Sequence, residues 1–143
     1  MRATFTGLLA GILLAGGLQV ASGASADGPR IVVDVKPHNT GYNVQNFVQN
    51  SPGQFAGTRV SRITGTMPTS YVGINAYLYK GSTLCRSTGV GYNQSGVRSY
   101  TRTTSSKCGA GNYRSQGIAY FYYPADGGYR QYVAPSSPNL YFA

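Results

Sequence analysis

The sequence predicts an all-β fold, specifically a small antiparallel β-sandwich of the immunoglobulin-like kind with six to seven strands. Two observations lead to this prediction. Short runs in which apolar and polar residues alternate with a period of two recur between turn signals rich in glycine, asparagine and proline. After residue 26, no stretch shows a helical period of 3.6 over three turns. Many short strands separated by regular turns are typical of a sandwich or a small barrel.

The first 26 residues are predicted to be a cleaved signal peptide. Arg2 precedes an apolar stretch at 8–20, and Ala24-Ser25-Ala26 has the small-residue spacing that signal peptidases recognise. The stretch is short and interrupted by glycines, and no basic flank follows it, so it does not resemble a membrane span. We expect cleavage after Ala26 and release of the protein from the cell. Cleavage removes one arginine and no acid, which lowers the formal net charge from +9 to +8.

Because the chain is expected to be exported, its two cysteines are expected to be oxidised. Cys85 and Cys108 are the only cysteines, and a pair in a small exported domain is most simply a disulfide bond. The bridge would close a loop, and the resulting loss of entropy in the unfolded chain would stabilise the fold by roughly 3 kcal/mol. No tryptophan lies between the cysteines and their spacing is short, so the bond is not expected to be the inter-sheet bridge of antibody domains.

The mature chain is expected to begin with an extended segment and linker at 27–57, followed by a β-sandwich domain at 58–143. The linker interpretation rests on 36–57, which is rich in asparagine, glutamine and glycine and has few apolar anchors. Before it lies a β-favouring run of five residues, Ile31, Val32, Val33, Asp34 and Val35. This run is either the first strand of the chain's own sandwich or a strand that adds to the sheet of a partner.

The clearest predicted strand is 71–80. Val72, Ile74, Ala76 and Leu78 alternate there with tyrosines, which predicts one aliphatic face and one tyrosine-bearing face. A turn at 80–82 then leads into a short strand around Cys85, which makes a hairpin.

Two further strands and a second hairpin follow. Residues 97–104 have little apolar content and predict an edge or solvated strand. The longest run, 112–123, ends at a proline, and Asp126-Gly127-Gly128 predicts a tight turn into a strand at 129–133.

The ionisable residues argue against catalysis. The chain has three aspartates, no glutamate and a single histidine, His38. In an extended chain His38 and Asp34 would lie roughly 13 Å apart, too far for a hydrogen bond within one strand. One histidine and three scattered aspartates also cannot supply a closed four-ligand metal site. We therefore expect no enzyme activity, no catalytic residue, no metal and no cofactor.

Arginine and tyrosine alternate at several places in the predicted strands, and these residues are the candidates for a binding surface. Guanidinium groups beside aromatic rings suit anionic polymers, and both residues are enriched at protein–protein hot spots. The alternative is that they only line the solvent face of a sheet and stabilise cross-strand pairs. The candidates are Arg98, Tyr100, Arg102, Tyr113, Arg114, Tyr129, Arg130 and Tyr132.

One run near the C-terminus resembles a known group of proteins. The residues of Cys108-Gly109-Ala110-Gly111-Asn112-Tyr113-Arg114, continuing into Gly117-Ile118-Ala119-Tyr120-Phe121 and Pro124, are similar to those of small secreted β-sandwich proteins of actinobacteria. A subset of these proteins is the adaptor subunit of umbrella toxin particles. The resemblance implies that the chain joins larger subunits and that 31–35 is its inserted strand.

These observations predict a secreted, non-enzymatic binding or assembly module that docks a larger secreted protein subunit, as a component of an interbacterial toxin complex. The alternative is a cationic protein that acts alone, by binding an anionic polymer of the cell envelope or by inhibiting a protease. Neither prediction includes a specific nucleic acid or a membrane span.

Overall fold

The structure, a computed structural model, describes residues 24–35 and 40–143. These residues form no helix, and their strands pair in antiparallel fashion, so the all-β prediction is confirmed. The thirteen strands of this part of the chain are β1 (Ser25–Asp27), β2 (Ile31–Val35), β3 (Thr40–Ser51), β4 (Gln54–Arg62), β5 (Val72–Asn75), β6 (Tyr77–Lys80), β7 (Thr83–Ser87), β8 (Gly91–Tyr92), β9 (Ser99–Thr103), β10 (Gly111–Ser115), β11 (Ile118–Tyr123), β12 (Gly128–Val133) and β13 (Leu140–Phe142).

The strands form three sheets. Sheet 1 has the order β1-β3-β4-β9, and β2 also pairs with the long strand β3. Sheet 2 has the order β12-β11-β5-β8, and sheet 3 has the order β13-β10-β6-β7. No helix in the described ranges is long and apolar enough to span a membrane.

Two long predicted strands each pass from one sheet to another, which accounts for two of the strands beyond the six or seven predicted. The 71–80 run contributes β5 to sheet 2 and β6 to sheet 3, with Ala76 between them. The longest run contributes β10 to sheet 3 and β11 to sheet 2, with Gln116 and Gly117 between them. Sheets 2 and 3 are therefore two halves of one layer that bends where both strands change sheets.

Sheet 1 packs against both halves of this bent layer through two hydrophobic clusters. The larger cluster joins sheet 1 to sheet 2 and includes Val44, Val60, Ile74 and Phe121. The smaller cluster joins sheet 1 to sheet 3 and consists of Val48, Phe55, Ala56, Leu78, Tyr113 and Phe142. The aliphatic face predicted for 71–80 supplies both clusters, since its four aliphatic residues are fully buried.

A buried asparagine occupies the junction between the clusters. On β3, Asn46 lies between Val44 and Val48 in the alternation of inward-facing side chains. Its Oδ1 accepts hydrogen bonds from Thr58 Oγ1 (2.7 Å) and from the backbone N–H of Gly117 (3.0 Å). Its Nδ2 donates to the carbonyls of Ala134 and Pro135, both at 3.0 Å. The bend of the facing layer leaves backbone groups without a strand partner, and Asn46 supplies the partners that such buried groups require.

At the other place where the chain passes between sheets, Thr88 forms hydrogen bonds with the backbone of Ala76. Because Ala76 lies between two strands, its backbone groups have no ladder partner. The Ala76 N–H donates to Thr88 Oγ1 (3.0 Å), and the Thr88 N–H donates to the Ala76 carbonyl (3.0 Å). Each place where the chain leaves one sheet for the next is thus held by a polar side chain from another segment.

The structure differs from the predicted linker at 36–57. Residues 40–51 form β3, the longest strand, and β4 crosses the domain boundary expected between residues 57 and 58. Val44, Val48, Phe47 and Phe55 are all buried. The polar composition misled the sequence interpretation because the polar residues of β3 either face outward or, like Asn46, meet buried partners. Residues 36–39 of the expected linker, which include His38, lie outside the described ranges.

The pentapeptide Ile31–Val35 forms β2 and pairs antiparallel with β3 of the same chain. Val33 and Val35 are buried in the larger cluster, whereas Val32 is 61% exposed. In this structure the segment therefore belongs to its own sheet, the first of the two alternatives. Its donation to a partner stays a prediction, and it would require release from β3. A deletion of 31–35 would also remove core residues.

Strand β1 of sheet 1 overlaps the expected end of the signal peptide. Strand β1 pairs Ser25, Ala26 and Asp27 with Gln49, Val48 and Phe47 of β3. Residues 1–23 lie outside the described ranges. Cleavage after Ala26 would leave only Asp27 of β1.

The predicted turns and the disulfide are confirmed. Strands β6 and β7 pair around Gly81, which has a φ of 61°, and β11 and β12 pair around Gly127, which has a φ of 70°. Glycine adopts such positive φ angles without a steric penalty. Cys85, on the edge strand β7, is bonded to Cys108, in the loop before β10. Strand β9, predicted at 97–104, is an edge strand of sheet 1.

Candidate functional site

The predicted arginine and tyrosine candidates lie on three different sheets and do not form one surface. Strand β9 of sheet 1 carries Tyr100 and Arg102, and Arg98 is the residue before this strand. The others lie on β10 of sheet 3 and on β12 of sheet 2: Tyr113, Arg114, Tyr129, Arg130 and Tyr132.

Tyr113 was expected on the surface and is instead fully buried. Its ring stacks on Phe142, with the centroids 4.4 Å apart. Its hydroxyl donates to the carbonyl of Gly109 (2.6 Å) and accepts from the N–H of Cys108 (2.9 Å). Tyr113 therefore holds the loop that carries Cys108 and takes no part in a binding surface.

Several other candidates are engaged in contacts within the chain. The guanidinium of Arg114 lies 4.5 Å from the centroid of the Tyr79 ring. Arg130 forms an ion pair with Asp126 across the hairpin turn. Tyr132 shares a hydrogen bond with Tyr123 through their hydroxyls, 3.0 Å apart. The contact of Arg114 fits the alternative interpretation, in which such residues stabilise the solvent face of a sheet, whereas Tyr132 packs against the larger hydrophobic cluster.

A row of four contacting tyrosine rings crosses the outer face of sheet 2. The centroids of Tyr71 and Tyr122 are 5.1 Å apart, those of Tyr122 and Tyr129 are 5.3 Å apart, and those of Tyr129 and Tyr92 are 5.0 Å apart. We call Tyr71, Tyr122, Tyr129 and Tyr92 the tyrosine row. Tilted rings at these separations are favourable aromatic pairs. The row is the most extended aromatic arrangement on the described surface.

A glycine and a backbone carbonyl position the tyrosine row. Gly73 faces outward on β5, and a Cβ there would lie 2.5 Å from the ring of Tyr92. The absence of a side chain at Gly73 lets the Tyr92 ring lie flat across the sheet. Tyr129 is 43% exposed, and its hydroxyl donates to the carbonyl of Ser70 (2.6 Å). The ring of Tyr129 is therefore presented to solvent in a fixed orientation.

A cavity of about 290 Å³ adjoins the end of the row at Tyr71 and Tyr122. The guanidinium of Arg62 lies 5.4 Å from the centroid of the Tyr42 ring, which also lines the cavity. The remaining lining residues are Val35, Pro68 and Pro124. The cavity thus combines aromatic and apolar walls with one cation, which is the composition of a pocket for an apolar or aromatic side chain.

Burial raises the pKa of two tyrosine hydroxyls in this region, those of Tyr42 and Tyr129. Desolvation raises the pKa of Tyr42 above its ordinary value, against an opposing effect of the Arg62 charge. Desolvation also raises the pKa of Tyr129, and the neighbouring Tyr92 and Tyr122 add to the rise. At neutral pH these groups are hydrogen-bond donors and acceptors without charge.

The described ranges hold no group of three or more histidine, cysteine or acidic residues placed to bind a metal. Asp34 is exposed on β2, and Asp126 is paired with Arg130. The tyrosine row of sheet 2 and the adjoining cavity together present aromatic rings, hydroxyl groups and the guanidinium of Arg62 from sheet 1.

The sequence interpretation missed three of the four residues of the tyrosine row. Tyr71 and Tyr122 could have been found from their alternation with buried aliphatic and aromatic residues. Tyr92 could not, because it reaches the row from the two-residue strand β8 across Gly73. Only the pairing of β5 with both β8 and β11 brings these rings together.

Comparison with protein families, with curated proteins and with solved structures finds no match for this chain.

Proposed function

We propose that this chain is a secreted, non-enzymatic binding module that docks a larger protein partner through the tyrosine row. The observation that supports this function is the contact of four tyrosine rings beside a cavity of about 290 Å³. Tyrosines that are already ordered lose little conformational entropy on binding, and they are frequent hot-spot residues.

The cavity suits an anchor side chain of the partner. Its volume and its apolar and aromatic walls fit an aromatic or branched aliphatic residue. Exposed Tyr129 contacts Tyr122 of the cavity wall and would meet the partner beside the anchor. The scarcity of acidic residues favours a partner whose own surface is acidic, because opposite charges steer association. Membership of an umbrella toxin particle rests on the sequence resemblance alone and stays a prediction.

Two separate tyrosine-to-alanine variants, one in the tyrosine row and one outside it, test the proposed function. Tyr129→Ala is expected to reduce recovery of the partner about tenfold or more, since truncation of a hot-spot residue costs about 2 kcal/mol. Tagged protein would be purified from the culture fluid of the producing cells, and the co-purifying proteins would be quantified by mass spectrometry.

The matched control is Tyr141→Ala. Tyr141 lies on β13 of sheet 3 and is 45% exposed, close to the 43% of Tyr129, but it has no ring contact with another described aromatic residue. Its replacement should leave recovery unchanged. Equal recovery with Tyr129→Ala and wild type, or no partner with wild type itself, would contradict the proposal.

A second candidate function is binding to an anionic polymer of the cell envelope. The observation that favours it is the uncompensated positive charge of the surface. Among the described residues the structure has one ion pair, between Arg130 and Asp126. Most guanidinium groups therefore lack a carboxylate partner, and their field attracts anionic polymers.

A further inference from the structure

A second cavity, of about 320 Å³, lies between the end of β7 and the segment that follows β9. Its wall consists of Arg86, Arg102 and six serine and threonine residues at 87–88 and 103–106. No acidic residue contributes to this wall. Two cations surrounded only by hydroxyl groups are the groups expected at a site for an oxyanion.

Arg86 is held at the cavity by the disulfide region. Its Nε donates to Ser106 Oγ (2.7 Å), and its Nη1 donates to the carbonyl of Cys85 (2.9 Å). Nη1 also lies 3.2 Å from the sulfur of Cys108. Within the described structure Nη2 has no acceptor, which leaves its two N–H groups available to a ligand.

Arg102 enters the cavity from the opposite side. Its Nη2 donates to the carbonyl of Thr88 (3.2 Å), and its Nη1 lies 3.5 Å from the hydroxyl of Tyr100. The guanidinium lies over Gly91 of β8, where a Cβ would overlap Nη1. Gly91 thus provides the space in which this cation is positioned.

Neither cation is paired with a carboxylate of the residues that the structure describes. None of the side-chain hydrogen bonds of Arg86 and Arg102 to described residues goes to a carboxylate; they go to carbonyls, hydroxyls and a sulfur. The planar fork of an arginine matches two oxygens of a phosphate or sulfate group, and charged hydrogen bonds of this kind are about twice as strong as neutral ones. Two such forks around one cavity would repel each other unless an anion lay between them.

We propose that this cavity binds a phosphate or sulfate group between Arg86 and Arg102. The exposed hydroxyls of Ser105 and Ser106 would donate to the remaining oxygens, whereas those of Ser87 and Thr88 already donate to Asn75 Oδ1 and the Gly89 carbonyl. Because Arg86 is exposed, the group can belong to a larger molecule such as a phosphodiester polymer of a cell envelope. The site goes beyond the proposed docking function, since no residue of the tyrosine row lines it.

The test uses the oxidised full chain and three probes: inorganic phosphate, inorganic sulfate and poly(glycerol phosphate). Binding would be followed by NMR of the arginine Nε–Hε signals at constant ionic strength. Arg86→Gln and Arg102→Gln are each expected to weaken binding about tenfold or more, the effect of losing a charged hydrogen bond. Tighter binding of the polymer identifies a polymer-borne group, and equal binding identifies a free ion; both support the site.

The matched control is Arg98→Gln. It removes the same charge from a residue beside β9, where Arg98 is exposed and donates to the carbonyl of Ile63 (3.3 Å) outside the cavity. Less than about a twofold effect is expected there, because only general electrostatic attraction is lost. An effect equal to that of Arg102→Gln would overturn the proposal, since binding would then follow total charge.

A second variant, Gly91→Ala, changes the geometry of the site and leaves the charge intact. The added Cβ displaces the guanidinium of Arg102, and the fold should tolerate this because the displaced atoms end a flexible side chain. Binding is expected to weaken about tenfold, with both arginines still present. Unchanged binding by Gly91→Ala, in a folded protein with the wild-type unfolding midpoint, would also overturn the proposal.

Discussion

Replacing Asn46 by alanine is expected to lower the free energy of unfolding by about 3–4 kcal/mol, one of the largest effects available to a single substitution here. The change leaves three groups of buried residues without these partners, the Thr58 hydroxyl, the Gly117 N–H and the Ala134 carbonyl, and it also removes the hydrogen bond to the carbonyl of exposed Pro135. Each unsatisfied buried group costs about 1–3 kcal/mol, and local adjustment recovers part of the sum. Urea unfolding followed by tyrosine fluorescence would measure the loss.

Asn43→Ala is the control for this prediction. Asn43 lies on the same strand, faces the other side of β3, and makes no side-chain hydrogen bond to the described residues. Its replacement should change the free energy of unfolding by less than about 0.5 kcal/mol. If both variants lost the same stability, the junction would not depend on the hydrogen bonds of Asn46.

Removing the disulfide by Cys85→Ser together with Cys108→Ser is expected to lower the free energy of unfolding by about 3 kcal/mol. The bond closes a loop over a sequence separation of 23 residues, so its loss increases the entropy of the unfolded chain. It also ties the edge strand β7 to the loop held by Tyr113. Chemical denaturation of the variant and of the oxidised wild type would give the difference.

Reduced wild-type protein is the control for the disulfide variant. It should unfold at the same denaturant concentration as the serine variant, and a reductant should leave the variant unchanged. The variant should also bind phosphate more weakly, because it removes the Cys108 sulfur that lies 3.2 Å from Nη1 of Arg86. Equal stability of the oxidised wild type and the variant would contradict the prediction, because the bridge would then not stabilise the fold by reducing the entropy of the unfolded chain.

The parts of the fold that sequence could predict are those that local patterns determine. Alternation at 71–80 predicted a buried aliphatic face, and Val72, Ile74 and Leu78 are fully buried. Glycine turns predicted the two hairpins, since their positive φ angles are a local requirement. Two cysteines in a chain that was expected to be exported left one simple pairing.

The parts that could not be predicted depend on how distant segments meet. Strand β3 looked like a linker because Asn46 interrupts its inward pattern, and the partners of Asn46 are as many as 89 residues away along the chain. Tyr113 looked like a surface residue because nothing local shows that Phe142 stacks on it. For the same reason the sequence did not reveal that Arg86 and Arg102 share a cavity: they approach it from different sheets.

The bend between sheets 2 and 3 has a consequence for how the chain can vary. Substitutions in separate packing units usually add in their effects, whereas substitutions within one unit interact. Here sheet 2 carries the tyrosine row on its outer face, and sheet 3 carries the disulfide and Arg86, whereas Arg102 belongs to sheet 1 and lies over Gly91 of sheet 2. Substitutions in the tyrosine row can therefore accumulate independently of those at the disulfide, but a change at Gly91 affects both surfaces, because Gly91 neighbours Tyr92 on one strand.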